Sequence, residues 1–380
     1  MARVMIVQPY VPKYRQPLFE GLSDRLREHG HELIIVSGQP QRGQAVRGDA
    51  VGLSSTKEHL YKSRSVRFGA FTVRLAPSPR VWKGADAVIV ELAAGSLASY
   101  RALLGRLPVG VWGHVGSYVA RDRTLLRWLR AWQVRRADHV LAYTETGIET
   151  AVAYGARVDD VTAVMNTVDT TSLRRAVLAE RERPENDVRA DLGDLSGPLF
   201  AVIGGLDESK RIDLLVSTLD HLWASRSNIR FVVAGKGALE HLLHPARDRG
   251  QIVLVGYADD AVKARMARVC TAIFNPGRVG LIAVESLVLG LPIVAGAQQD
   301  HAPEFEYLRP DQDCVIVAPD APAMAAALVG LTLDPVRTSS LARAAEARAD
   351  EYPLDFTISA MFLAIEALLS KRDRRGTPEA

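Results

Sequence analysis

The chain has 380 residues, 48% of them hydrophobic and 24% charged, with a formal net charge of +3. That length exceeds what one core ordinarily holds, so two domains are expected, and the composition excludes a largely disordered chain. The small net charge gives no reason to expect nucleic acid as the main partner. The two cysteines, Cys270 and Cys314, are too few for a disulfide framework and stand in no metal-ligand spacing.

The N-terminus enters a strand-like run at 4–9 without a charged-then-apolar leader. No apolar run reaches the roughly 20 residues that span a bilayer, so a cytoplasmic protein is expected. A helical pattern at 19–29 precedes a strand-like run at 32–38. The stretch 38–65 is polar and rich in Gly, Gln, Arg and Ser, which predicts a long mobile loop. Strand-like runs follow at 71–75, 87–90, 109–112, 139–143 and 161–165, separated by helical patterns at 97–104, 124–136 and 145–154. Buried runs joined by helices read as parallel strands of a doubly wound sheet. The charged stretch 174–197, with Pro184, Gly193 and Gly197, reads as a linker.

A second alternating set begins at 199–203 and continues with strands at 231–234, 253–255, 272–274, 292–295 and 315–317. Its helical patterns lie at 212–222, 261–269 and 281–289, with more after 321. The order predicts two consecutive Rossmann-like domains, at 1–173 and 198–354, with a cleft between them. In open α/β sheets ligands bind at the carboxyl ends of the strands, so the loops there carry the candidate chemistry.

Three such loops stand out in the second domain. The first reads GGLDESKRIDLL, where Gly204 and Gly205 permit close backbone approach and Lys210 and Arg211 stand at a helix start. Two cations there suit a diphosphate; a plain turn with solvated charges is the alternative. The second, GKGALE, places Gly235, Lys236 and Gly237 like the start of a dinucleotide fingerprint that lacks its third glycine. The third turns at Asn275, Pro276 and Gly277 into a helix opening at Gly280. The amides of Gly280, Leu281 and Ile282 would face an anion there, with Arg278 adding a charged contact and Glu285 suited to ribose hydroxyls. The alternative for Glu285 is a solvated first-turn acid.

In the first domain, His114 ends a strand between Gly113 and Gly116, and Glu91 ends another. Each is either a ligand group or a structural one. The helix RTLLRWLRAWQVRR sets Leu125, Trp128, Leu129 and Trp132 at helical spacing among Arg123, Arg127, Arg130, Arg135 and Arg136. Such a helix can lie on an anionic membrane surface. The expectation is that its stripe packs on the sheet, with peripheral membrane contact as the alternative.

Over nearly its whole length the chain resembles the retaining glycosyltransferases of family 4, which have the GT-B fold. Gly204, Leu206 and Lys210 match the family's G-R-L-x-x-x-K-G loop. Gly205 stands in place of its phosphate-binding arginine, and Arg211 in place of its last glycine. Glu285, Gly290, Leu291 and Pro292 match the second half of the two-glutamate motif. The first glutamate is absent because the loop 276–280 is short, and DHAPEFEYL resembles a subset of the family with the same shortening. NTVD at 166–169 resembles N-G-V-D, WGHVGS resembles the family's strand-end histidine, and QPYVPKYRQPLFEGL stands where members have a loop facing the acceptor.

The resemblance implies two Rossmann-like domains facing a central cleft, with a C-terminal helix at 355–380 returning to the first. It implies transfer of a sugar from a nucleotide-diphosphate donor with retention, UDP being the expected nucleotide and GDP the second. The acceptor would be a polysaccharide intermediate or a small metabolite. Lys210, Arg211, Arg278 and the amides at 280–282 would stabilise the leaving diphosphate, with no metal or cofactor required. The leaving phosphate would take the acceptor's proton, His114 would position the donor sugar, and closure of the domains would exclude water. Gly204, Gly205 and Gly235 would line the donor, while Tyr14, Arg15 and Glu91 would meet the acceptor. Glu304 and Glu306, near His301, are candidates to replace the missing glutamate. A nucleotide-sugar epimerase, an NAD-dependent oxidoreductase using GKGALE, and a non-catalytic nucleotide-sugar-binding partner are the competing readings.

Overall fold

The computed structural model describes residues 1–38, 53, 56–61, 65–68, 71–75, 77, 79–116, 124–193, 195–297 and 300–376. It divides into two units, Met1–Asp169 with Pro353–Ala380, and Thr170–Tyr352.

In the first unit the chain runs β1 (Arg3–Gln8), α1 (Gln16–Glu28), β2 (Glu32–Gly38), β3 (Lys57–Tyr61), β4 (Ser65–Phe68), β5 (Phe71–Arg74) and β6 (Ala87–Glu91). It continues with α2 (Leu97–Leu103), β7 (Val109–Gly113), α3 (Thr124–Arg136), β8 (His139–Ala142), α4 (Thr146–Ala153) and β9 (Val161–Ala163). One parallel sheet has the order β3-β2-β1-β6-β7-β8-β9. Strands such as β1, β2, β6 and β7 are apolar on both faces because helices cover both, while the edge strand β3 is polar. In β1, Val4 and Ile6 join the cluster under α1, while Met5 and Val7 join the cluster on the other face. Leu18, Leu22 and Leu26 line the buried stripe of α1 at a spacing of one turn.

The second unit runs α5 (Thr171–Arg181), α6 (Glu185–Asp191), β10 (Leu199–Ile203), α7 (Ile212–Ala224), β11 (Arg230–Ala234), α8 (His244–Asp248), β12 (Ile252–Gly256) and α9 (Asp260–Val269). Then come β13 (Cys270–Asn275), α10 (Ile282–Leu289), β14 (Ile293–Gly296), β15 (Cys314–Val317), α11 (Ala321–Leu333) and α12 (Pro335–Ala347). Its parallel sheet has the order β12-β11-β10-β13-β14-β15, so the winding reverses between β10 and β13. That reversal opens a crevice at the strand ends, where such sheets take their ligands. Asp259, Asp320 and Asp334 start α9, α11 and α12 by accepting from the amides of Val262, Ala323 and Arg337 at 2.8, 2.9 and 2.9 Å.

The final helix, α13 (Leu354–Gly376), packs on the first unit beside α1. Ile358, Met361, Ile365 and Leu368 share the cluster of Leu18 and Leu22. Thr357 donates to the Met165 carbonyl at 2.7 Å, and Lys371 pairs with Asp160. Among the described residues no helix is long and apolar enough to cross a membrane.

Four expectations change. Residues 174–197 are not a bare linker: α5 and α6 belong to the second unit, with Leu173, Val177, Val188 and Leu192 buried beneath their charged faces. Within 38–65, β3 forms an edge strand on β2, since a neighbouring strand supplies the hydrogen bonds that a polar segment lacks by itself. Residues 39–52, 54–55 and 62–64 of that stretch lie outside the described residues. The run at 71–75 is not a strand of the large sheet; β4 and β5 form a separate antiparallel pair. In α3 only part of the expected stripe covers the sheet: Trp132 packs against its core beside the buried Ala131, Gln133 and Val134, whereas Leu125 and Trp128 are 64% and 56% exposed. Arg123 lies outside the described residues.

Candidate functional site

At the crevice of the second unit, two loops grip each other. The chain leaves β10 through Gly204 and Gly205, and Asp207 accepts from the Ser209 amide at 3.0 Å to form a tight turn. This delivers Lys210 to the end of β13. Its ammonium donates to the Arg278 carbonyl at 2.8 Å, and the Arg278 amide donates back to the Ser209 carbonyl at 2.8 Å. Gly277 lies so close to the Lys210 backbone that an added Cβ would sit 2.3 Å from its carbonyl carbon. The same holds at Gly235 and Gly237, where a Cβ would fall 1.9 Å from the Gly204 oxygen and 2.1 Å from the Leu206 oxygen. GKGALE is thus a packing motif that supports the β10 loop.

Beyond Gly277 the chain enters α10. The amides of Ala283 and Val284 bond to the carbonyls of Gly280 and Leu281 at 2.8 and 3.0 Å. Those of Gly280, Leu281 and Ile282 have no acceptor in their own turn, which is the usual state of a helix start. The helix dipole and Lys210 add positive potential there. Val202, Gly204, Gly205, Lys210, Asn275 and Pro276 line a small pocket at this point. Of the expected phosphate ligands, Lys210 is drawn together with Gly204 and Gly205 at this pocket, while Gly280–Ile282 follow the Arg278 carbonyl that Lys210 holds and are not part of its lining.

Two other expected cations are engaged elsewhere. Arg211 adopts a left-handed backbone at φ 50° and clasps Asp213 with Nε at 2.9 and 3.0 Å and NH2 at 2.8 Å. The Arg278 side chain is exposed and donates through Nε to the Asp300 carbonyl at 2.7 Å. Lys210 is the cation that the two loops position.

Glu285 is not a solvated acid. It accepts from the Lys263 ammonium of α9 at 2.7 Å, and both side chains are mostly enclosed. Burial alone would lower the Lys263 pKa, but the Glu285 carboxylate outweighs it and raises it. Sequence reasoning missed Lys263, which carries no motif. His301 is buried, accepts from the Val279 amide at 3.0 Å and donates to the Gly296 carbonyl at 2.7 Å, tying the short loop to β14. Glu304 is also buried, and its Oε2 lies 3.8 Å from where a Cβ on Gly280 would stand. Glu306 is exposed.

In the first unit a second cluster gathers at the ends of β1, β6, β7 and β8. Arg15 lies with its guanidinium 4.5 Å over the Trp112 ring and donates to Gln8 Oε1 at 2.6 Å and the Tyr143 hydroxyl at 2.7 Å. Tyr14 beside it is exposed. Glu91 is held by Arg74 of β5, a partner that sequence reading did not supply. His114 follows β7, and burial together with the Arg130 charge pushes its pKa down to about 3. Its imidazole is therefore neutral at ordinary pH, fit to hydrogen-bond but a poor base. Among the described residues no group of three or more His, Cys, Asp or Glu side chains is arranged to hold a metal ion.

Fold and site together define an α/β protein of two Rossmann-like units, the second with a lysine-bearing loop locked onto a helix-leading loop at its switch point. Two family models match it: Glycosyltransferase Family 4 over residues 19–172 and Glycosyl transferases group 1 over residues 197–334. The chain belongs to the family 4 glycosyltransferases, with the GT-B fold.

A phosphatidyl-myo-inositol mannosyltransferase of Mycolicibacterium smegmatis is 30% identical over 159 residues, 40% of each chain. A D-inositol 3-phosphate glycosyltransferase of Acidothermus cellulolyticus is 26% identical over 64% of this chain and 56% of its own. The matched region thus spans well under two thirds of these relatives. Among solved structures, Anabaena Alr3699/HepE in complex with UDP has a TM-score of 0.67 at 13% identity, covering 97% of this chain and 100% of that one. Sucrose-phosphate synthase of Thermosynechococcus elongatus has a TM-score of 0.67 at 15% identity, covering 98% and 100%. Identities this low establish shared fold alone.

Proposed function

We propose that this protein transfers a sugar from a nucleotide-diphosphate donor, UDP being the favoured nucleotide, to a polysaccharide intermediate or a small metabolite. The observation that carries this reading is the interlocked pair of loops holding Lys210 against the amino end of α10. UDP is favoured because structures of similar fold were solved with UDP.

In the reaction, the bond between the anomeric carbon and the diphosphate oxygen breaks while the acceptor oxygen bonds to that carbon on the same face. The acceptor's proton passes to the departing phosphate, so configuration is retained. Charge grows on the diphosphate as the bond breaks, and Lys210 with the amides of Gly280–Ile282 stabilises it, without calling on a metal. Arg278 adds longer-range positive potential, whereas the Arg211 charge is offset by Asp213. The neutral His114 serves the sugar as a hydrogen-bonding group rather than as the base.

The reading is tested by thermal shift against UDP, GDP, NAD and UDP-sugars, followed by mass spectrometry of products with candidate acceptors. A shift with NAD alone, or conversion of the nucleotide sugar to its epimer without an acceptor, would overturn it. Glu285 is assigned to the ribose hydroxyls, oriented by Lys263. Glu285→Ala is expected to weaken UDP binding on the order of tenfold or more, the worth of a hydrogen bond to a charged group. Calorimetry showing unchanged affinity would remove Glu285 from that role.

Peripheral membrane contact belongs to the same reading. Leu125 and Trp128 stand exposed on α3 among Arg127, Arg135 and Arg136, and the described helix carries no acidic residue. Replacing both Leu125 and Trp128 by Ser is expected to lower the fraction sedimenting with phosphatidylglycerol vesicles about tenfold or more, given roughly 1.5–3 kcal/mol per buried large apolar side chain. Equal sedimentation of the two proteins would show that α3 does not enter the membrane.

A further inference from the structure

Among the described residues, none with an opposite charge touches the Arg15 guanidinium. Its two hydrogen-bond acceptors, Gln8 and Tyr143, are neutral. Burial pushes the Tyr143 phenol up, against the pull of Arg15, so it remains a hydroxyl. Among the described residues no carboxylate pairs with Arg15; Glu91 acts on it only at longer range and is itself held by Arg74.

The same cluster leaves two enclosed donors unmet. Arg15 Nε and the Trp112 indole Nε1 have no acceptor among the described residues, and Trp112 is only 2% exposed. Nine in ten or more buried polar groups find partners, and leaving one unmet costs about 1–3 kcal/mol. Here two donors and a cation, none met by an acceptor or a carboxylate among the described residues, share the carboxyl ends of β1 and β7. Arg15 follows β1, at the point where this sheet reverses its winding between β1 and β6. A neutral polyol would satisfy the donors and leave the charge; a cationic ligand would be repelled. A planar guanidinium stacked on an indole matches the two-oxygen edge of a phosphate or carboxylate.

We propose that Arg15 and its cluster bind an oxyanion, a phosphate or carboxylate group, carried by the molecule that receives the sugar. That the oxyanion belongs to the acceptor rests on the function proposed above; the binding of an oxyanion at Arg15 does not.

The test is calorimetric titration of the full chain with glucose 6-phosphate and glucuronate, with glucose as the neutral control, in the presence of saturating UDP. The variants are Arg15→Gln, Arg15→Lys and Lys210→Ala, each checked for folding by circular dichroism. A charged probe is expected to bind at least tenfold more tightly than glucose. Arg15→Gln should weaken it tenfold or more, Arg15→Lys should recover part of the loss, and Lys210→Ala should leave it unchanged. Vesicles containing phosphatidate cover the lipid source: binding there that Arg15→Gln abolishes, without binding of the soluble probes, places the oxyanion on a headgroup. Three results would each overturn the proposal: no Arg15-dependent binding in either arm, equal binding of glucose, or loss of the charged probe only in Lys210→Ala. UDP binding measured in the same samples reports separately on the donor reading. Should Arg15→Gln fail to fold, the comparison of Arg15→Lys with wild type across the three probes decides the matter.

Discussion

Lys210→Ala is expected to lower the rate of UDP release from a UDP-sugar at least about 100-fold, the loss typical of removing one transition-state contact to a developing anion. The size follows from position. Arg211 is committed to Asp213 and Arg278 to the Asp300 carbonyl, so Lys210 is the cation held where β10 and β13 diverge. In the proposed reaction its charge acts on the leaving diphosphate, and its hydrogen bond to the Arg278 carbonyl ties the β10 loop to the loop before α10. Lys210→Met keeps the aliphatic stem beside Gly204 but loses both the charge and the hydrogen bond to the Arg278 carbonyl. Comparable losses in both variants locate the effect in the ammonium rather than in the stem. A folded Lys210→Ala protein releasing UDP at the wild-type rate would show that the diphosphate lies elsewhere.

Gly277→Ala should be nearly as damaging, for a steric reason. The new Cβ would stand 2.3, 2.4 and 2.6 Å from the carbonyl carbon, Cα and carbonyl oxygen of Lys210, and backbone atoms cannot rotate away. One of the two loops must move. The expected cost is about 1–3 kcal/mol in a denaturant titration, as for other overpacked sites, with at least a tenfold loss of UDP affinity. Gly280→Ala is the control, because its nearest neighbours, at 3.6 and 3.8 Å, are in ordinary contact. Stability there should stay within about 0.5 kcal/mol of wild type. If Gly277→Ala were as stable and as tight-binding as Gly280→Ala, the two loops would not be acting as one unit.

Much of the molecule was legible in advance where a local rule governs. The strands at 199–203 and 32–38 appear as read, because an apolar run between turn residues has few other outcomes in a two-sided sheet. The turn from β13 into a helix was legible because glycines and a proline at a strand end imply a turn, and α10 begins at Ile282, two residues after the expected Gly280. The segments that misled are those whose outcome depends on a distant neighbour. Lys57–Tyr61 becomes a strand only because β2 offers an edge, and the charged stretch with Leu173, Val177, Val188 and Leu192 becomes two helices only because the second unit has a face to bury them.

Side-chain commitments were the least legible. The sequence by itself determined the alternation of strands and helices and the glycine-bearing loops at the strand ends, since hydrophobic period and turn chemistry are local, and its motifs carried the resemblance to family 4. Only the tertiary structure decided which charges are left for a ligand. Asp213 takes Arg211, Arg74 takes Glu91 and Lys263 takes Glu285, while Lys210 is held at the Arg278 carbonyl and Arg15 meets no carboxylate among the described residues. A charge's availability is set by which opposite charge packs beside it, and in an α/β sheet that neighbour comes from another strand or helix.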